Sequence, residues 1–128
     1  MDELYREVLL EHYKNPQNSG KLINPDIVQK DSNPLCGDVV EFYLRLKEGK
    51  VTEVSFEGKG CVICMATSDI LSEKFKGMSL DEIQSMQREE VLDILGLNLT
   101  HTRVKCAMLP LVAVKKGIIE FKSKGEKK

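Results

Sequence analysis

No excess of either charge marks this sequence: 19 Lys and Arg stand against 20 Asp and Glu, a net charge of -1 over 128 residues. That excludes the electrostatic footprint of a general nucleic-acid binder. No apolar run approaches the roughly 20 residues a helix needs to cross a bilayer, so no membrane partner is expected. The start, Met1-Asp2-Glu3, is acidic and lacks the charged-then-apolar pattern of an export signal. No internal repeat or linker interrupts the chain, and residues 1–128 are expected to form a single domain. No Gly-rich phosphate loop, nucleophile elbow or His-x-Glu deaminase signature occurs. Four cysteines without an export signal favour metal or redox chemistry over structural disulfides, and a cytoplasmic location.

What is present has the balance of a globular domain, 41% hydrophobic and 30% charged. Leu4 to Lys14 reads as a short amphipathic helix, with Tyr5, Val8, Leu9 and His12 at helical spacing. Asn15-Pro16 and Ser19-Gly20 break it. A first strand is expected over Ile23 to Val28, kept to a sheet edge by Pro25. Val40, Phe42, Leu44 and Leu46 then alternate with polar residues; after Glu48-Gly49-Lys50 the alternation resumes with Thr52, Val54 and Phe56. That is an antiparallel hairpin with one wet face.

The period changes after Gly58-Lys59-Gly60-Cys61, where Ile63, Ala66, Thr67, Ile70, Leu71 and Phe75 suit a buried helix that Gly77 stops. Ser79 to Ser85 reads as a second short helix with a Ser79/Glu82 capping box, and Arg88 to Leu95 as a third closed by Gly96. A final long helix runs to about Phe121; since Pro110 suits only a helix's first turn, it should begin near Cys106. The basic residues from Lys115 onward read as a solvated helix end. Strands followed by helices predict an α+β fold: a small antiparallel sheet of about three strands with helices on one face.

Cys36 and Asp38 share the turn Asn33-Pro34-Leu35-Cys36-Gly37-Asp38. Cys61 and Cys106 each read as opening a helix, where positive partial charge favours thiolate over thiol. All sit at element ends, where side chains can point out of the core. Three thiolates suit zinc or an iron–sulfur cluster, and a carboxylate fourth ligand would be harder and weaker. Their combined negative charge would be partly offset by Arg103, Lys105 and Lys59. Scattered buried cysteines that bind nothing are the bland alternative. Cys61-Val62-Ile63-Cys64 has the spacing of a redox or zinc pair, yet Cys64 falls on the apolar face with Thr67, Leu71 and Phe75 and reads as buried. His12 reads as a core histidine, and His101 as an exposed loop residue that, five positions before Cys106, could also approach the site.

Four blocks carry a family resemblance. They are Tyr5-Arg-Glu-Val-Leu-Leu-Glu-His-Tyr-Lys-Asn-Pro-Gln-Asn-Ser-Gly20, Asn33-Pro-Leu-Cys-Gly-Asp38, Gly58-Lys-Gly-Cys61 and Arg103-Val-Lys-Cys106. In this order they resemble the U-type iron–sulfur cluster scaffolds: IscU, SufU and the NifU N-terminal proteins. The resemblance implies that Cys36, Cys61 and Cys106 accept sulfur and bind a nascent [2Fe–2S] cluster or Zn²⁺, with Asp38 assisting and favouring release. It gives Cys106 the role of persulfide acceptor from a cysteine desulfurase. Further implied partners are an iron donor and apo-protein acceptors, and the implied role is that of a carrier and not an enzyme. In SufU-like members zinc is the usual resting occupant, which makes a zinc-bound sulfurtransferase the second reading and an inert structural zinc module the third. IscU proteins have His before the last cysteine, where this chain has Lys105. The Leu-Pro-Pro-Val-Lys segment read by a dedicated Hsp70 chaperone is replaced by Leu97-Asn-Leu-Thr-His-Thr-Arg-Val-Lys105, so chaperone use does not carry over. Both departures look SufU-like, although the insertion typical of many SufU proteins between Cys61 and Cys106 is missing.

Overall fold

The organising element is the hairpin. In the computed structural model, which describes residues 2–34, 37–96, 99 and 101–124, strands β2 (Asp38–Lys47) and β3 (Lys50–Lys59) are joined through Glu48 and Gly49. Both turn residues have positive φ (54° and 78°), the combination whose twist matches a two-residue hairpin. Phe42 faces Phe56 across the ladder with ring centroids 5.8 Å apart, and Val40, Leu44 and Val54 extend the same apolar face. A bulge between Arg45 and Leu46 shifts the register, so Val51 is buried and Thr52 is exposed. Thr52, expected in phase with Val54 and Phe56, instead donates its hydroxyl to the Arg45 carbonyl at 3.0 Å.

Strand β1 (Ile27–Asn33) completes an antiparallel sheet in the order β1-β2-β3. It is an edge strand, as Pro25 implied, but it begins four residues later than the expected Ile23. Asn24 has φ 56°, which breaks extension, and regular pairing starts only after Asp26. There the Asp26 N–H donates to the Leu44 carbonyl and its carboxylate accepts from the Leu46 N–H at 2.7 Å.

The helices are α1 (Asp2–Lys14), α2 (Val62–Phe75), α3 (Leu80–Gln84), α4 (Arg88–Leu95) and α5 (His101–Ser123). The Ser79/Glu82 capping box is formed, and α4 ends at Gly96. Helix α5 lies against β1 and β2, α2 against β3 and α5, and α1 against α2. The apolar sheet face and these helices enclose one core that includes Phe42, Leu44, Leu71, Phe75, Leu111 and Ile118. The architecture is therefore the α+β arrangement anticipated, with a long C-terminal helix.

The start of α5 departs from expectation. The helix opens at His101, so Pro110 lies well inside it and Cys106 is five residues past its first position. An interior proline costs roughly 3 kcal/mol. Burial of Leu109, Leu111, Val114 and Ile118, at roughly 1.5–3 kcal/mol each, outweighs that. Of the basic residues along α5, Lys122 reaches Asp81 at 2.6 Å, Lys115 the Met86 carbonyl at 2.6 Å and Lys116 Asp31 at 3.1 Å. They pin the helix to its neighbours more than a solvated end would.

The opposite sheet face is not uniformly wet. Tyr43 and Ser55, paired across β2 and β3, are both buried. The Tyr43 hydroxyl lies 3.1 Å from a carboxylate oxygen of both Glu41 and Glu57 and donates between them. Burial, then the Glu57 and Glu41 carboxylates, push the phenol's pKa well above its ordinary value. No helix among the described residues is long and apolar enough to cross a membrane.

Candidate metal centre

Strand parity decides where Asp38 points. It precedes Val40 and Phe42 by even steps, so its side chain lies on the face that meets the helices, opposite Asn33 of β1. It is 2% exposed. A carboxylate at that depth must be held by hydrogen bonds or opposite charge. The chain leaving β3 supplies one such bond: the Cys61 N–H donates to Asp38 Oδ1 at 3.1 Å.

Gly60 makes that approach sterically feasible. A Cβ at this position would stand 2.9 Å from Asp38 Oδ1 and 3.0 Å from its Cγ, closer than real Cβ atoms come. The glycine therefore leaves the volume that the Asp38 carboxylate fills.

Cys61 caps α2. Its backbone is extended (φ -72°, ψ 169°), and its Sγ accepts the Cys64 N–H at 3.4 Å. The same Sγ lies 3.7 Å from Asp38 Oδ2. Cys106 approaches from the second turn of α5 and is 1% exposed. One donor atom each from Asp38, Cys61 and Cys106 lies within 4.8 Å of the other two.

This differs from exposed side chains at element ends. Asp38 and Cys106 are buried and Cys61 is half-buried, because the corner where β2, α2 and α5 meet closes over them. Cys36 lies outside the described residues, as does the side chain of His101. Arg103 and Lys105 are exposed in the first turns of α5, and Lys59 is exposed at the end of β3. Cys64 is fully buried, in keeping with its apolar helical face.

The donor set fits a tetrahedral cation. With Zn–S of about 2.3 Å and Zn–O of about 2.1 Å, tetrahedral angles separate sulfur from oxygen by about 3.6 Å. The Cys61–Asp38 separation of 3.7 Å is close to that value. Two soft sulfurs and one hard oxygen suit zinc or iron, not magnesium or calcium.

A second buried carboxylate lies further along α2. Asp69 of α2, 0% exposed, accepts from His12 Nδ1 at 2.6 Å, from the backbone N–H groups of Gln17 and Asn18 at 2.9 Å, and from Asn18 Nδ2 at 3.0 Å. His12 is thus a partly exposed partner of Asp69 and not simply a core residue. Asn18 continues the lock to β3, where Phe56 N–H donates to its carbonyl and Gly20 N–H donates to the Phe56 carbonyl. This anchors the strand that ends at Gly60. Residue order contained one signal for it, an aspartate in the middle of a helix expected to be buried.

Residues 4–128 match the family model described as NifU-like N terminal domain. The chain is 33% identical to the Escherichia coli protein named iron-sulfur cluster assembly scaffold protein IscU, over 97% of this chain and 98% of that one. It is also 33% identical to the Bacillus subtilis protein named zinc-dependent sulfurtransferase SufU, over 92% of this chain and 91% of that one. Among solved structures, an N-terminal NifU-like protein from Brucella abortus superimposes with a TM-score of 0.78 at 25% identity, over 96% of this chain and 97% of that one.

Proposed function

From the premise that this chain belongs to the NifU-like N-terminal domain family, we propose that it is a scaffold for assembling a [2Fe–2S] cluster. Sulfur comes from a cysteine desulfurase, iron from a donor, and the finished cluster passes to apo-proteins. The observation that carries this reading is the convergence of the Asp38, Cys61 and Cys106 donor atoms within 4.8 Å at one buried corner.

Each residue has a role. The Cys106 thiolate attacks the outer sulfur of a desulfurase persulfide, taking the sulfane sulfur and leaving the desulfurase cysteine as thiolate. Cys61, together with Cys36, binds iron as it arrives. Asp38 is the weaker ligand, held in place by the Cys61 N–H. A site with one exchangeable oxygen ligand releases its cargo more readily than four thiolates would. Arg103 and Lys105 offset the negative charge of the loaded site. The protein acts as a carrier and not as an enzyme.

The 3.7 Å Cys61–Asp38 spacing supports a second reading, a zinc-bound sulfurtransferase that relays persulfide and never holds a cluster. Zinc at Cys36, Asp38, Cys61 and Cys106 would keep the thiols deprotonated.

The two readings part in one experiment. Purified protein is incubated anaerobically with iron, cysteine and a desulfurase. Visible cluster absorption that moves to an apo-ferredoxin supports the scaffold; a colourless product retaining zinc supports the relay and overturns the first reading. Cys106→Ser abolishes desulfurase stimulation in both.

A further inference from the structure

Cluster assembly as described leaves one thiol unused, Cys64. It sits one turn into α2 from Cys61, fully buried, and its N–H is bonded to the Cys61 sulfur at 3.4 Å. Residues three apart on a helical turn have Cβ atoms about 5–6 Å apart. A disulfide needs Cβ atoms about 3.5–4.5 Å apart, so joining the two sulfurs takes a closing movement at the N-terminus of α2, where Cys61 is the extended N-cap and its sulfur already lies against the Cys64 N–H. The Cys61 N-cap position keeps its sulfur over the first turn of α2.

We propose that Cys64 is a resolving thiol that reduces sulfane sulfur held on Cys61 and releases it as sulfide. The inference rests on the sulfur-accepting reading of the site. Sulfane sulfur reaches Cys61 from Cys106, whose sulfur lies within 4.8 Å: the Cys61 thiolate attacks the outer sulfur of a Cys106 persulfide and Cys106 leaves as thiolate. That exchange involves no net oxidation. Cys64 then attacks the Cys61 Sγ, the S–S bond to the outer sulfur breaks, and the Cys61–Cys64 bond forms. The outer sulfur leaves as hydrosulfide, carrying the proton of the Cys64 thiol. It has gained two electrons, one from each thiol sulfur now in the disulfide. An external dithiol restores the pair by thiol–disulfide exchange.

Two consequences follow from the chemistry. Sulfide, the form of sulfur a cluster needs, appears beside Asp38 and Cys106 instead of arriving through solvent. While the disulfide stands, Cys61 cannot ligate metal, so sulfur reduction and metal loading alternate. A Cys64 that served only as packing would do neither.

The test uses reduced, metal-free, full-length protein and cysteine persulfide, under anaerobic conditions, followed by alkylation and trypsin. Cleavage after Lys59 and Lys74 isolates Cys61 and Cys64 on one peptide with no other cysteine. The expected product is that peptide unalkylated and two hydrogens lighter, with one sulfide released per disulfide. Cys64→Ala, with folding checked by circular dichroism, loses the light peptide, retains persulfide on Cys61 and lowers protein-dependent sulfide release about tenfold. Persistent Cys61 persulfide in the wild type, or wild-type sulfide release from both Cys64→Ala and Cys64→Ser, overturns the proposal. A parallel digest after desulfurase treatment reads persulfide on the peptide carrying Cys106. Its presence without the light peptide sinks the resolving role alone; its absence counts against the sulfur-accepting site itself.

Discussion

Two aspartates of this protein, Asp38 of β2 and Asp69 of α2, are buried, and their surroundings differ in kind. Asp69 meets donors: an imidazole, two backbone N–H groups and an amide. Asp38 accepts the Cys61 N–H and has the sulfurs of Cys61 and Cys106 close beside it. The first arrangement satisfies a negative charge by itself. The second brings together groups that repel when ionised, and a cation between them removes that repulsion. A buried carboxylate held by several donors acts as a structural lock, while one beside two thiols offers the donor set that a zinc or iron ion would use.

The largest expected effect breaks the lock. Asp69→Ala orphans several buried donors and should lower stability by about 3–5 kcal/mol in urea unfolding. A loss below about 1 kcal/mol would show that Asp69 does not hold α1 to α2.

Gly60→Ala attacks the other aspartate through its seat. The added Cβ, 2.9 Å from Asp38 Oδ1, should displace the carboxylate and weaken zinc binding about tenfold in chelator competition. Unchanged affinity would mean that Asp38 does not contribute to the site from this position.

Asp38→Ala should behave unlike Asp69→Ala. Without metal its stability should stay within about 1–2 kcal/mol of wild type, because a carboxylate that is costly to bury beside two thiols leaves the core. Cluster transfer to an apo-ferredoxin should slow. Equal unfolding by the two alanine variants would erase the contrast between lock and ligand.

The smallest effect concerns Tyr43, on the opposite sheet face. Its folded pKa is raised above the unfolded value, so the folded state binds its proton more tightly. That stabilisation is fully present below pH 10.0, the ordinary tyrosine value, and is lost as pH rises above it. Tyr43→Phe should flatten the alkaline decline in melting temperature; an identical slope in the variant would remove Tyr43 as its cause.

Much of this fold is legible residue by residue. The hairpin, the Ser79/Glu82 box and the span of α4 follow from local periodicity and turn chemistry, which act over a few neighbours. The start of α5 does not, because the penalty of Pro110 is local while the burial that outweighs it comes from the sheet and α2. The phase of Thr52 was hidden for a related reason: a bulge belongs to a strand pair, not to one strand. His12 could not be paired with Asp69, 57 residues away, from spacing alone.

The candidate site divides along the same line. Residue identities by themselves marked Cys36, Asp38, Cys61 and Cys106 as a donor set, because thiols and a carboxylate have fixed metal preferences wherever they stand. Tertiary structure alone decided that Asp38, Cys61 and Cys106 share one buried corner, that Gly60 makes room for the carboxylate, and that Cys64 touches Cys61 through its N–H. Chemical type is a property of each side chain. Distance and burial arise only when the sheet and two helices close on one another.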